Sequence, residues 1–137
     1  MEQLTRTELR NNIMTILYQI NLYKINNIEY NIDDIIKDIN PIENEFVKDI
    51  VYGVVTKLDE LDSIANKYLN KWTIDRLGNT DQAILRMSIY ELLYTDTPDI
   101  VVINEAVELA KKYSDDDVKS MINGVLDKVY HEKVDHE

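Results

Sequence analysis

The chain has 137 residues, the length of one domain with a single core, and its 45% apolar content fits a folded rather than a disordered protein. It contains no cysteine, which excludes disulfides, thiolate metal sites and thiol nucleophiles and suits a reducing cytoplasm. A net charge of -11 argues against tight generic nucleic-acid binding, and no apolar run approaches the roughly 20 residues of a membrane span.

The N-terminal stretch, with Glu2, Arg6, Glu8 and Arg10, lacks the apolar centre of a signal peptide. It is also the only mildly basic end, since Arg6, Arg10 and Lys24 outnumber Glu2 and Glu8 over residues 1–28. The acidity lies in residues 29–62 and in the C-terminal tail. Any RNA site is therefore expected to be small, local and sensitive to salt.

A first helix is predicted from about Thr5 to Lys24, with Thr5 and Glu8 at the spacing of a capping box. Stepping about 100° per residue places Leu9, Ile13, Ile16, Leu17 and Ile20 on a buried face, with Arg10, Met14, Tyr18 and Asn21 along one flank. That flank offers a charge for phosphate and a flat ring for a base. It reads equally as a core edge beside a solvated arginine, and pattern alone favours this plainer reading. A short helix is predicted over Ile32–Ile39, and Pro41 opens the next one.

Apolar positions from 46 to 68 give a long helical pattern, with a break expected near Lys57 to Leu61. Gly53 inside it costs about 1 kcal/mol against alanine, which implies close approach of a neighbouring helix. Trp72 and Leu77 read as a hydrophobic plug, and Thr80 as the N-cap of the following helix. Asp81 to Tyr94 is apolar nearly all round, the pattern of a helix enclosed by others. Arg86 within it must meet an acid or reach solvent; Glu91 and Glu105 are the candidates, and a structural ion pair is preferred over ligand binding.

Beyond Pro98, Asp99 or Thr97 is a candidate start for a helix whose stripe is Ile103, Ala106, Val107 and Ala110, although Ile100, Val101 and Val102 also suit extended chain. Asn104 and Glu105 are placed to hold an inter-helix junction. Ser114 and Asp115–Asp117 supply a cap and an acidic first turn to a last helix with its stripe at Ile122, Val125, Leu126 and Val129. Asn123 and Gly124 interrupt that helix with poor helix formers, implying a close contact or an exposed recognition surface. The expected fold is all-α, a single compact bundle of about seven helices over residues 1–130, with a flexible polar tail at 131–137.

Catalytic patterns are missing. Three glycines, Gly53, Gly78 and Gly124, do not make a phosphate cradle, and His131 and His136 lack metal-ligand partners at a standard spacing. Neither an acid/base pair nor a calcium loop can be written, so no enzyme and no cofactor is expected.

Three ordered stretches carry a family resemblance. Ile84-Leu-Arg-Met-Ser-Ile-Tyr-Glu-Leu, Ile103-Asn-Glu-Ala-Val-Glu-Leu-Ala-Lys and Ile122-Asn-Gly-Val-Leu-Asp-Lys together resemble the NusB family of bacterial transcription antitermination factors. Arg10, Leu17-Tyr18, Gly53 and Trp72 extend the likeness over nearly the whole chain. The resemblance implies a non-catalytic helical protein that binds single-stranded boxA RNA with a small ribosomal protein, NusE, and joins the RNA polymerase antitermination complex, as a monomer or homodimer. It places RNA on the N-terminal helix, at Arg6, Arg10 and Tyr18, and near the start of the last helix, at Asp117 and Met121. Lys119 is added on charge grounds.

Two departures stand out. Thr5, Thr7 and Glu8 interrupt what is in the family a denser basic run, and Met121 stands where an aromatic is common. Weak binding to RNA alone is therefore expected. The alternatives are a NusB-like interaction domain without RNA binding and an accessory domain for ribosomal RNA modification.

Overall fold

The computed structural model describes residues 3–135, and these form seven α-helices and one 3-10 turn, with no strand among them. In chain order they are α1 (Arg6–Ile25), α2 (Ile32–Ile39), α3 (Glu45–Thr56), α4 (Leu58–Tyr68), the turn Ile74–Arg76, α5 (Asn79–Tyr94), α6 (Asp99–Tyr113) and α7 (Asp116–Asp135). The capping box at α1 forms as expected, with Thr5 Oγ1 accepting from the Glu8 N–H and Glu8 Oε1 accepting from the Thr5 N–H, both at 3.1 Å. Asn31 and Asn44 cap α2 and α3 through their side-chain oxygens alone, which accept from the Asp34 and Val47 N–H groups.

Helix α5 is the axis of the bundle. Every residue from Gln82 to Leu92 is buried, and α1, α3, α4, α6 and α7 all pack against it. Its apolar character on all sides has that cause: no side of it faces water. The stripes predicted for α1 and α7 close around it, with Ile13, Ile16, Ile122 and Leu126 fully enclosed. On α6 the buried residues are Val102, Ala106, Leu109 and Ala110, so Ile103 and Val107 of the predicted stripe are only half-buried.

Several expectations are corrected. Arg86 pairs with Asp62 on α4, through Nε to Oδ1 at 2.8 Å and Nη2 to Oδ2 at 3.0 Å, and with neither Glu91 nor Glu105. Five residues along a helix turn the direction by about 140°, so Arg86 and Glu91 face different neighbours. Trp72 is not a plug but 58% exposed; Leu69 and Ile74 are buried in its place. Helix α5 starts at Asn79 with Gly78 at its N-cap, so Thr80 lies inside the first turn. Ile100, Val101 and Val102 are helical, α6 beginning directly after Pro98. The cap of α7 is Asp115, which accepts from the Val118 N–H at 2.9 Å, while Ser114 donates to Asp81.

Nor does the helix end at Tyr130: α7 continues to Asp135, where Lys133 Nζ donates to the Leu92 carbonyl at 2.8 Å and Glu132 pairs with Lys67. His131 is on the surface near Asp127, and His136 lies outside the described residues.

Gly53 meets a side chain rather than a helix backbone. The ring of Tyr90 from α5 lies over it, and the Tyr90 hydroxyl donates to Asp49 at 3.0 Å. Burial, reinforced by that hydrogen bond, pushes the Tyr90 phenol up to about 12 from its ordinary 10.0. A raised folded-state value means that the contribution of the neutral phenol is complete below pH 10 and is lost as pH rises through 12. Urea denaturation of wild type and Tyr90→Phe should accordingly show a stability gap of about 1 kcal/mol near neutrality that narrows over that alkaline window. Gly124 has open space beside it, and Asn123 is exposed, so the Asn-Gly pair in α7 marks surface and not a close contact.

Candidate nucleic-acid interface

Tyr18 sits half-buried on α1, where its ring helps line a cleft of about 380 Å³ between α1, the start of α5 and the hinge from α6 to α7. Gly78, Asn79, Thr80, Asp81, Tyr113, Ser114, Asp115 and Val118 form the rest of the wall. A polar lattice fixes the floor. Asn21 Nδ2 donates to Asn79 Oδ1 at 2.9 Å and to Gln82 Oε1 at 3.2 Å, and Gln82 Nε2 donates to the Leu77 carbonyl at 2.8 Å. The start of α5 is thereby tied to α1, and Ser114 at the α7 entrance donates to Asp81 in the first turn of α5.

The α7 residues singled out in the sequence begin at this entrance. Asp117 is exposed in the first turn, Lys119 is half-buried with Nζ 3.7 Å from Asp116 Oδ1, and Met121 packs half-buried against the core. The cleft itself is lined by Asp81 and Asp115 and by no cation; Lys119 is held toward Asp116, and Lys112 of α6 lies 5.1 Å from the centroid of the Tyr113 ring in the cleft wall. Met121 and Tyr18 offer flat or polarizable surface for a base.

The arginines lie elsewhere. Arg6 is exposed in the first turn of α1, its guanidinium carbon 3.9 Å from the centroid of the Phe46 ring on α3. That stacking spreads the guanidinium flat while leaving the charge in water. Arg10 is not on the surface at all. It is 4% exposed, and its Nε and Nη2 bind Glu91 Oε1 and Oε2 at 3.0 and 2.5 Å, a bidentate pair with a carboxylate that is 1% exposed. Glu105 lies 3.9 Å from Arg10 Nη1 and accepts from the Thr7 hydroxyl at 2.8 Å. Arg10 is thus corrected from a phosphate ligand to the ionic centre that joins α1, α5 and α6. Glu105 does hold an inter-helix junction as expected, whereas Asn104 is exposed.

Of the predicted residues, then, Tyr18 alone lines the cleft. Asp117, Lys119 and Met121 neighbour its wall residues Asp115 and Val118 in the chain without lining it, Arg6 lies at the far end of α1, and Arg10 is withdrawn into the core. The sequence reading missed Phe46, the platform beneath Arg6, and the Asn21–Asn79–Gln82 lattice. Only a contact between segments far apart in sequence reveals either. Among the described residues no group of His, Asp or Glu is arranged to hold a metal ion, and no helix is long and apolar enough to cross a membrane.

Comparison with known proteins gives this geometry a family. The NusB family model matches residues 7–131. A transcription antitermination protein NusB from Macrococcus caseolyticus is 41% identical over 132 residues, covering 95% of this chain and 99% of that protein. The Staphylococcus aureus (strain JH9) protein of the same name is 52% identical over 95 residues, 69% of this chain and 74% of its own. Among solved structures, T. maritima NusB superposes with a TM-score of 0.82 at 28% identity, over 96% of this chain and 94% of that one. A structure of antitermination factors NusB and NusE in complex with dsRNA aligns with a TM-score of 0.78 at 30% identity, over 93% and 96% of the two chains. With its helix order, its central α5 and all three signature stretches inside the matched region, the chain belongs to the NusB family.

Proposed function

We propose that this chain is a cytoplasmic, non-catalytic transcription antitermination factor. In this role it binds boxA-type single-stranded RNA together with the small ribosomal protein NusE and joins the RNA polymerase antitermination complex to promote read-through of ribosomal RNA operons. The observation that carries the reading is the cleft that Tyr18 and the entrance of α7 line together, in a chain whose relatives are named for antitermination and one of which is solved with NusE and dsRNA. In this scheme Tyr18 and Met121 receive bases, Arg6 and Lys119 contact phosphates, and Asp117 accepts from a base edge or ribose hydroxyl. A surface of net charge -11 attracts a basic ribosomal protein and speeds its docking, while keeping RNA affinity low until that partner adds its own cations.

The test is a titration of labelled boxA-type RNA by anisotropy, with and without NusE, across a range of salt. Binding should be weak alone and tighten in the ternary mixture. Tyr18→Ala should weaken the ternary complex about tenfold, the scale of one lost base stack. Arg6→Ala should make the slope of log K against log salt shallower by about 0.7.

The withdrawal of Arg10 and the acidity of the cleft favour one second reading, a protein-interaction adaptor with no RNA contacts of its own. Ternary affinity that ignores both substitutions would establish it.

A further inference from the structure

The segment between α4 and α5 carries the single tryptophan of the chain, and Trp72 is 58% exposed there. Folding alone does not favour so large an apolar face in water. Nor is the ring needed to hold the turn, because Asn66 Oδ1 accepts from the Ile74 N–H at 2.7 Å and the Arg76 N–H donates to the Thr73 carbonyl at 2.9 Å. Around the indole, Asn66, Leu69, Asn70, Lys71, Thr73 and Arg76 line an open cleft of about 490 Å³.

The charge of this cleft opposes that of the chain. Lys71 and Arg76 line it and no carboxylate does; the neighbouring Asp75 is engaged by the Thr73 hydroxyl. By contrast, the Tyr18 cleft holds Asp81 and Asp115 and no cation, and the groove between α1 and α6 sets Glu8, Glu105 and Glu108 against Lys111 and Lys112. An exposed flat ring between two cations and two amides has what an unpaired nucleotide requires: a face for the base, charge for the phosphate, and donors and acceptors for the base edge. The location is also continuous with the site described above. Arg76 ends the 3-10 turn, and Gly78 and Asn79 in the wall of the Tyr18 cleft follow within three residues.

We propose that Trp72, Lys71 and Arg76 form a second nucleotide position, which stacks a base of single-stranded RNA beyond those held at the Tyr18 cleft. The proposal rests on the RNA-binding reading and extends its footprint around the start of α5. A basic protein would meet two like charges here, whereas an anionic strand with unstacked bases meets none.

Because Trp72 is the one tryptophan, its emission reports this position directly. At low salt, a single-stranded RNA long enough to span both clefts should quench that emission with the midpoint seen by anisotropy of the labelled strand. Shortening the RNA stepwise from one end should abolish the quenching before it abolishes binding. Trp72→Ala should weaken binding of the long strand about tenfold without lowering the melting temperature, and Trp72→Phe should restore most of the loss. Emission that stays constant at RNA saturation, with Trp72→Ala binding as tightly as wild type, overturns the second position and leaves the Tyr18 cleft standing. Emission that answers to NusE but not to RNA makes Trp72 a protein contact and overturns it too. Absence of any binding by anisotropy removes both readings together.

Discussion

Arg10→Ala should destabilise the fold by about 3–5 kcal/mol, the largest loss expected from any single charged side chain in this bundle. The reason lies in what remains behind. Glu91 is 1% exposed and receives two hydrogen bonds from Arg10, so truncating the arginine strands an ionised carboxylate in the core. Thermal or urea denaturation followed by circular dichroism reads the effect. Arg10→Met combined with Glu91→Leu should recover most of the stability, since an apolar pair of similar volume avoids the desolvation cost. If Arg10→Ala unfolds no earlier than wild type, the buried ion pair is not the junction described above. This expectation also bears on RNA experiments. A loss of RNA binding in Arg10→Ala would report a damaged bundle, and for that reason Arg6 and Tyr18 are the informative positions.

Gly53→Ala is the second large effect, at about 2–3 kcal/mol, and it runs against helix propensity. Alanine on an exposed helix site should gain about 1 kcal/mol over glycine. At this position a Cβ would fall inside the edge of the Tyr90 ring, 2.5 Å from its hydroxyl oxygen. The ring is buried and anchored to Asp49, so it has no free space to enter without breaking that bond. The sign of the effect should therefore depend on Tyr90. In a Tyr90→Leu background, Gly53→Ala should be neutral or stabilising, and a double-mutant cycle on denaturation free energies measures the coupling. Additive effects would mean that the ring does not touch the glycine.

The scaffold was legible because its evidence is periodic. An unbroken apolar helix at Asp81–Tyr94 and single stripes on its neighbours leave one arrangement, and the break at Lys57 and the cap at Thr5 follow local rules. Arg10 shows where that reading stops. It stands one residue after Leu9 and three before Ile13, which puts it on the flank of the core face, where helical phase alone does not decide between core and water. Its charge suggested water, and the packing of α5 and α6 over that flank decided otherwise. The identity of its partner was a different matter. Choosing Glu91 for Arg10 and Asp62 for Arg86 requires knowing how α1 and α4 flank α5, which no local pattern records. Trp72 misled through hydrophobicity alone, since a lone indole in an irregular segment has no period to place it.

The partners of the first helix are encoded late. Glu91 lies 81 residues after Arg10, and Glu105 lies 98 residues after Thr7. At synthesis rates of about 5–20 residues per second, that 81-residue interval takes roughly 4–16 seconds, during which the arginine lacks its carboxylate partner and the apolar stripe beside it has only α2 and α3 to pack against. Closure of the junction between α1, α5 and α6 thus waits until both Glu91 and Glu105 have been made.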